Sequence, residues 1–179
     1  MTNADPTTSD SPSGFEVGDP GWTRWLWVPV ILALAGFAAW WMTHPEELPR
    51  GSGTVDATTK AGETIYVGVT DDRDLDESRE LHIRDVTFKQ VTRGSVDVEA
   101  LVCHDGSLNT TANPEPFCES VEKAEGATIQ LGGGDQLVIS VTAESSQTVE
   151  LVDMELAYRE GLQWATQPIG PSVVVDVIG

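Results

Sequence analysis

Asp72, Asp74 and Asp76 alternate along a short acidic stretch. That is the spacing that opens a calcium-binding EF-hand loop, in which oxygens at positions 1, 3 and 5 wrap a hard cation. The agreement ends there. The sixth place is Glu77 instead of the glycine that lets such a loop turn, and the twelfth is Ile83 instead of a bidentate glutamate. A solvated acidic loop is the expected reading, with a looser cation site on Asp71, Asp72, Asp74, Asp76 or Glu77 as its alternative.

Cys103 and Cys118 are the only cysteines. A thiol oxidoreductase usually holds its pair two residues apart at a helix start, where the thiolate is stabilised, whereas this pair flanks a loop with Asn113, Pro114 and Pro116. A structural disulfide is expected, and closing a loop of about 15 residues is worth on the order of 3 kcal/mol in the chain-entropy model. A copper site would draw on His82, His104, Cys103 and Met154. Cys103 and His104 are neighbours, so in a strand they point to opposite faces, and an oxidised cysteine supplies no thiolate.

Hydrolytic chemistry finds only His82 and His104 as imidazole bases beyond residue 53, and no serine in a nucleophile-elbow pattern. Gly132, Gly133 and Gly134 precede a strand-like run with no helix or lysine after them, so they read as a hairpin connection and not as a phosphate cradle. Asn109, Thr110 and Thr111 form an N-glycosylation acceptor sequence, meaningful only in a host with that machinery. No catalytic residue, cofactor or cofactor-binding motif emerges.

These residues must be positioned by a chain of three compositions. Residues 1–21 are rich in Ser, Thr, Pro, Gly and Asp, and are expected to form a disordered acidic tail. Residues 22–43 read as a membrane-spanning helix. Trp22, Trp25 and Trp27 stand before an uncharged apolar run and Trp40 and Trp41 close it, the pattern of an aromatic belt. At 1.5 Å per residue the run can cross a hydrocarbon core of roughly 30 Å. The acidic tail, with Arg24 as the single basic residue before the run, does not suit a cleaved signal peptide, so an uncleaved signal anchor is expected. Pro29 fits a helix running either way if it lies in the first turn.

Charge does not orient the span, because Arg24 on one side faces only Arg50 and the more distant Lys60 on the other. The cysteine pair does, since an oxidising compartment favours such pairs. The expectation is a cytoplasmic N-terminus in a single-pass cell-membrane protein, with an extracytoplasmic domain. Residues 44–53 form a short stalk containing Pro45, Pro49, Gly51 and Gly53, and residues 54–179 form one domain.

That domain alternates with a period of two. Ile65, Val67 and Val69 mark one strand; Val96, Val98, Ala100 and Val102 a second; Leu137, Ile139, Val141 and Ala143 a third; Val173, Val175 and Val177 the last. Two runs change phase midway. Leu81 and Ile83 give way to Val86 and Phe88, and Val149 and Leu151 to Val152, Met154, Leu156 and Tyr158, so a bulge or a crossing between sheets is expected at each. Turn chemistry separates the runs at 71–78, 109–116, 132–135, 144–147 and 167–171. The expected fold is an antiparallel β-sandwich of seven to nine strands, immunoglobulin-like or related in architecture, although the cysteines are too close to join its two sheets in the antibody manner.

The four acidic residues and one basic residue up to Thr43 leave 25 acidic and 9 basic residues after it, a formal charge of minus 16. Such a domain is repelled by nucleic acid and favours cationic surfaces. The functional expectation is a non-enzymatic, membrane-anchored module that binds or stabilises another envelope protein, one with a basic surface, while residues 22–43 engage the lipid bilayer. The alternative is a cation-binding or redox accessory protein using the acidic loop 71–77 or the Cys103/Cys118 pair.

Overall fold

The computed structural model describes residues 23–48, 51–70 and 78–179, except for the side chains of residues 23, 24 and 26. The chain divides into two compact units, Met1–Ala38 and Ala39–Gly179. The helix α1, Thr23–Met42, begins in the first. Its described large apolar side chains are exposed, from 75% at Trp25 to 42% at Met42. Pro29 lies inside the helix rather than in its first turn, so it does remove one intrahelical hydrogen bond, contrary to expectation. Among the described residues no helix is long and apolar enough to cross a membrane. The gap-free run of described side chains, residues 27–42, covers about 24 Å against a hydrocarbon core of roughly 30 Å. The span expected over residues 22–43 reaches past them, and Trp22 lies outside the described residues.

The second unit is an all-β sandwich. Its strands are β1 Thr54–Lys60, β2 Ile65–Gly68, β3 Arg79–Val91, β4 Val96–His104, β5 Thr110–Thr111, β6 Ser120–Lys123, β7 Thr128–Leu131, β8 Gln136–Ala143, β9 Gln147–Glu160, β10 Gln163–Pro168 and β11 Ser172–Ile178. One sheet runs β1-β11-β9-β3-β7 with β10 also on β9, and the other runs β5-β2-β8-β4-β6. The strands outnumber the seven to nine expected because β5 has only two residues and β6, with the sequence Ser-Val-Glu-Lys, is polar and largely exposed, so neither shows an apolar alternation. Pairing is antiparallel except between β1 and β11, which are parallel, an arrangement that alternation within a strand cannot reveal.

The apolar alternation places the core between the sheets. Val67, Val102, Leu137, Ile139 and Val141 from one sheet meet Leu81, Val149, Leu151, Leu156 and Val175 from the other. Both phase changes are bulges. In β3, Ile83 and Asp85 face the consecutive residues Tyr158 and Ala157, leaving Arg84 as the extra residue. Farther along, Thr87 and Lys89 face Glu155 and Val152, so the extra residue is now in β9, where Asp153 has φ 53°. Each bulge resets the inward face, which lets one long strand keep apolar side chains in the core on both sides of it.

The glycine run does not join a hairpin. It carries the chain from β7 in one sheet to β8 in the other, with Gly132 and Gly134 at φ 73° and 105°. Residues without a β-carbon adopt those angles at little cost. The strand β11 closes the domain as expected, with Val173, Val175 and Val177 buried.

Candidate functional site

Asp72, Asp74 and Asp76 lie outside the described residues. Cys103 and Cys118 are bonded to each other across a Cα separation of 5.3 Å, as expected. Both are buried on the outer face of the second sheet, in a small cluster with Leu101, Leu108 and Val138. The bridge ties down the excursion between β4 and β6, and this lid explains why β8 is buried on both faces.

Under that excursion are two buried polar hubs that alternation cannot disclose. The Asp135 carboxylate accepts the Asp105 amide at 3.1 Å and the Gln130 amide at 2.9 Å. Gln136 accepts the Leu108 amide at 2.7 Å and donates to the Thr70 carbonyl at 2.7 Å. Both side chains satisfy backbone groups that would otherwise be buried unpaired, which is a structural occupation.

His104 stands between carboxylates, with Nε2 3.1 Å from Glu122 and Nδ1 3.2 Å from Asp135. Its pKa is raised: burial is the largest single influence and lowers it, but the hydrogen bonds and charges of Glu122 and Asp135 together outweigh that. His82 bonds Thr128 at 2.7 Å. Among the described residues no group of three or more His, Cys, Asp or Glu could hold a metal ion. Cys103 lies in the small outer cluster and Met154 in the main core, while His82 and His104 are held by the separate partners just named.

A groove of about 210 Å³ lies on one side of the sandwich, lined by Asp85, Val86 and Phe88 of β3 and Val98, Glu99 and Ala100 of β4. It exists because pairing stops early on both of its walls. The partner of β3 on this side, β7, ends its register at His82, and Ile83 makes the last contacts with Gly126 and Ala127. The partner of β4, β6, pairs only Leu101 to His104, with Ala124 bonding Ala100 beyond it. Among the described residues, no strand pairs the outer edge of β3 after Ile83 or that of β4 before Ala100.

One end of the groove is closed by the crossing 124–127 from β6 to β7, which contributes Glu125 to the lining. At the other end the turn 92–95 joins β3 to β4. Gln147 pins that turn, accepting from Thr92 Oγ1 at 2.7 Å and the Gly94 amide at 2.9 Å. The floor is apolar and half-buried, and the rim is acidic. Lys123, the basic residue of the lining, is held by Glu99 at 2.8 Å. Its pKa is raised first by that hydrogen bond, with the charges of Glu99, Asp97 and Glu125 adding to it. The groove was not legible in advance, since its residues read simply as alternating strand positions.

An all-β sandwich with an open side, a buried local disulfide and no metal cluster among its described residues defines the class at the level of architecture. No protein-family model matches the chain, and comparison with curated proteins gives no significant match.

Proposed function

We propose that this chain is a non-enzymatic β-sandwich module, immunoglobulin-like in architecture, held by α1 at the cell membrane with its domain outside, and that it binds an extended basic segment of another envelope protein. The observation that carries the binding reading is the pair of unpaired edges on β3 and β4, facing one apolar groove. Free edges present backbone N–H and C=O groups that an added strand can satisfy, and pockets between them take alternate side chains. The acidic rim and the charge of minus 16 after Thr43 select a cationic occupant. At about 3.3 Å per residue the stretch of β3 past its bulge accommodates some six residues of extended chain.

The membrane reading rests on the uncharged run closed by tryptophans and on the exposure of α1. The exterior placement rests on the paired cysteines. A redox role for the pair has less support, since Cys103 is fully buried and Cys118 nearly so.

The test uses the full chain in lipid nanodiscs, titrated with a fluorescent peptide of alternating Val and Lys and with its Val and Glu twin. The Lys peptide should bind, and backbone N-methylation of it should abolish binding. The charge reversal Asp85→Lys with Glu125→Lys should weaken it about 10-fold. Equal binding of both peptides, or of neither, overturns the docking reading. Topology is tested separately: a protease added to intact cells should digest the domain and spare a tag at residue 1.

A further inference from the structure

Leu162 and Trp164 are the most exposed large apolar side chains beyond Met42 among the described residues, at 70% and 58%. They sit together on the β9–β10 hairpin, whose turn is made by Gly161 at φ 55°. Two large apolar side chains side by side on one hairpin form a small contiguous exposed apolar patch, and such patches are the ones that mark contact surfaces. The hairpin's neighbour indicates which surface this one meets. Gln163 Nε2 donates to the Trp41 carbonyl at 2.9 Å, and Thr43 lines a shallow depression together with Arg84 and Trp164. The chain leaving α1 therefore runs beside this hairpin, all within the unit Ala39–Gly179.

That placement is strapped, not loose. Gln167 donates to the Glu46 carbonyl at 3.3 Å and accepts the Leu48 amide at 2.7 Å. Arg79 reaches the Glu46 and Glu47 carbonyls at 3.4 and 3.5 Å, and Leu48 is buried in the core. Residues 44–48 thus bind the domain's edge instead of acting as a free spacer.

We infer that the β9–β10 hairpin is the membrane-facing edge of the domain, with Leu162 and Trp164 in the headgroup region of the same bilayer that holds α1. The inference rests on the reading of α1 as a span. In that reading Trp40 and Trp41 form the helix's interfacial belt, and a residue bonded to Trp41 lies at the same depth. An indole with an apolar body and a polar N–H suits that layer. The Arg84 guanidinium, 5.5 Å from the Trp164 ring centroid, brings a cation to the level of lipid phosphates.

The test is made with full-length protein in phosphatidylcholine vesicles, carrying Leu162→Cys labelled with an environment-sensitive fluorophore while the native disulfide stays closed. Val91→Cys, at the far end of β3, serves as the control. Lipids spin-labelled near the headgroup should reduce emission at position 162 about twofold and leave position 91 unchanged, and Trp164→Glu should relieve the quenching. Water-like emission at 162 in protein that resists alkaline extraction overturns the inference and leaves the span standing. A blue-shifted label that spin-labelled lipid does not quench also overturns it, pointing to cover by a second copy. Release of the protein by alkaline extraction overturns the span reading and this inference with it.

Discussion

The side-chain carbonyl of Gln136 accepts the Leu108 amide at 2.7 Å, joining the start of β8 to the excursion tied by the Cys103–Cys118 bridge. The same side chain donates to the Thr70 carbonyl, so one glutamine satisfies two backbone groups from distant segments, both in buried surroundings. Substitution Gln136→Leu keeps the approximate shape and removes both partners. Because each orphaned buried group costs about 1–3 kcal/mol, the variant should lose about 3 kcal/mol, read from the shift of a chemical-denaturation midpoint at unchanged slope.

Removing the bridge acts on the same excursion from its other side. The paired substitution Cys103→Ala with Cys118→Ala should lower stability by about 3 kcal/mol, the chain-entropy value for a loop of this length. Hydrogen exchange should accelerate at the Leu108 amide more than at β11. In unreduced protein from its native compartment, alkylation under denaturing conditions should label neither cysteine.

His104 makes stability depend on pH. The fold raises its pKa, so the protonated form is favoured in the folded state and its contribution is complete below the unfolded value of about 6.5. That contribution is lost as pH rises through the higher folded value. Melting temperature should therefore decline from about pH 6 to pH 8, and His104→Gln should flatten that part of the profile. A profile identical in the two proteins counts against the Glu122 and Asp135 pairing as its source.

Truncation after Gly170 removes β11, whose Val173, Val175 and Val177 are buried and which holds β1 on one side and β9 on the other. Burial of a valine side chain contributes about 1.5–3 kcal/mol, so three of them approach the whole stability of an ordinary domain. The truncated protein should show no cooperative melt and should be digested rapidly. Deleting residues 2–20 should leave the melt unshifted; a cooperative, unshifted melt after the C-terminal cut would show that β11 is dispensable to the core.

The features legible from the residues alone are local. Side chains alternate across a strand with a period of two, so Val96 to Val102 and Leu137 to Ala143 disclosed both their conformation and their inward face. A change of phase cannot occur without an extra residue, so the bulges at Arg84 and Asp153 were legible to within a residue or two. With two cysteines only one internal pairing exists.

Which strands become neighbours is settled by the folded chain and not by any one segment. The period is the same for a strand in either sheet, so it could not tell that residues 132–135 cross between sheets or that β1 lies parallel to β11. Nor could it show that β7 and β6 stop short and, among the described residues, leave the edges of β3 and β4 open. Asp135 and Gln136 look like turn residues until the excursion folds over them, because a buried hydrogen bond needs partners from distant parts of the chain. The groove has a related cause, since it is made by where pairing ends, a property of the assembled sheets and of no single segment.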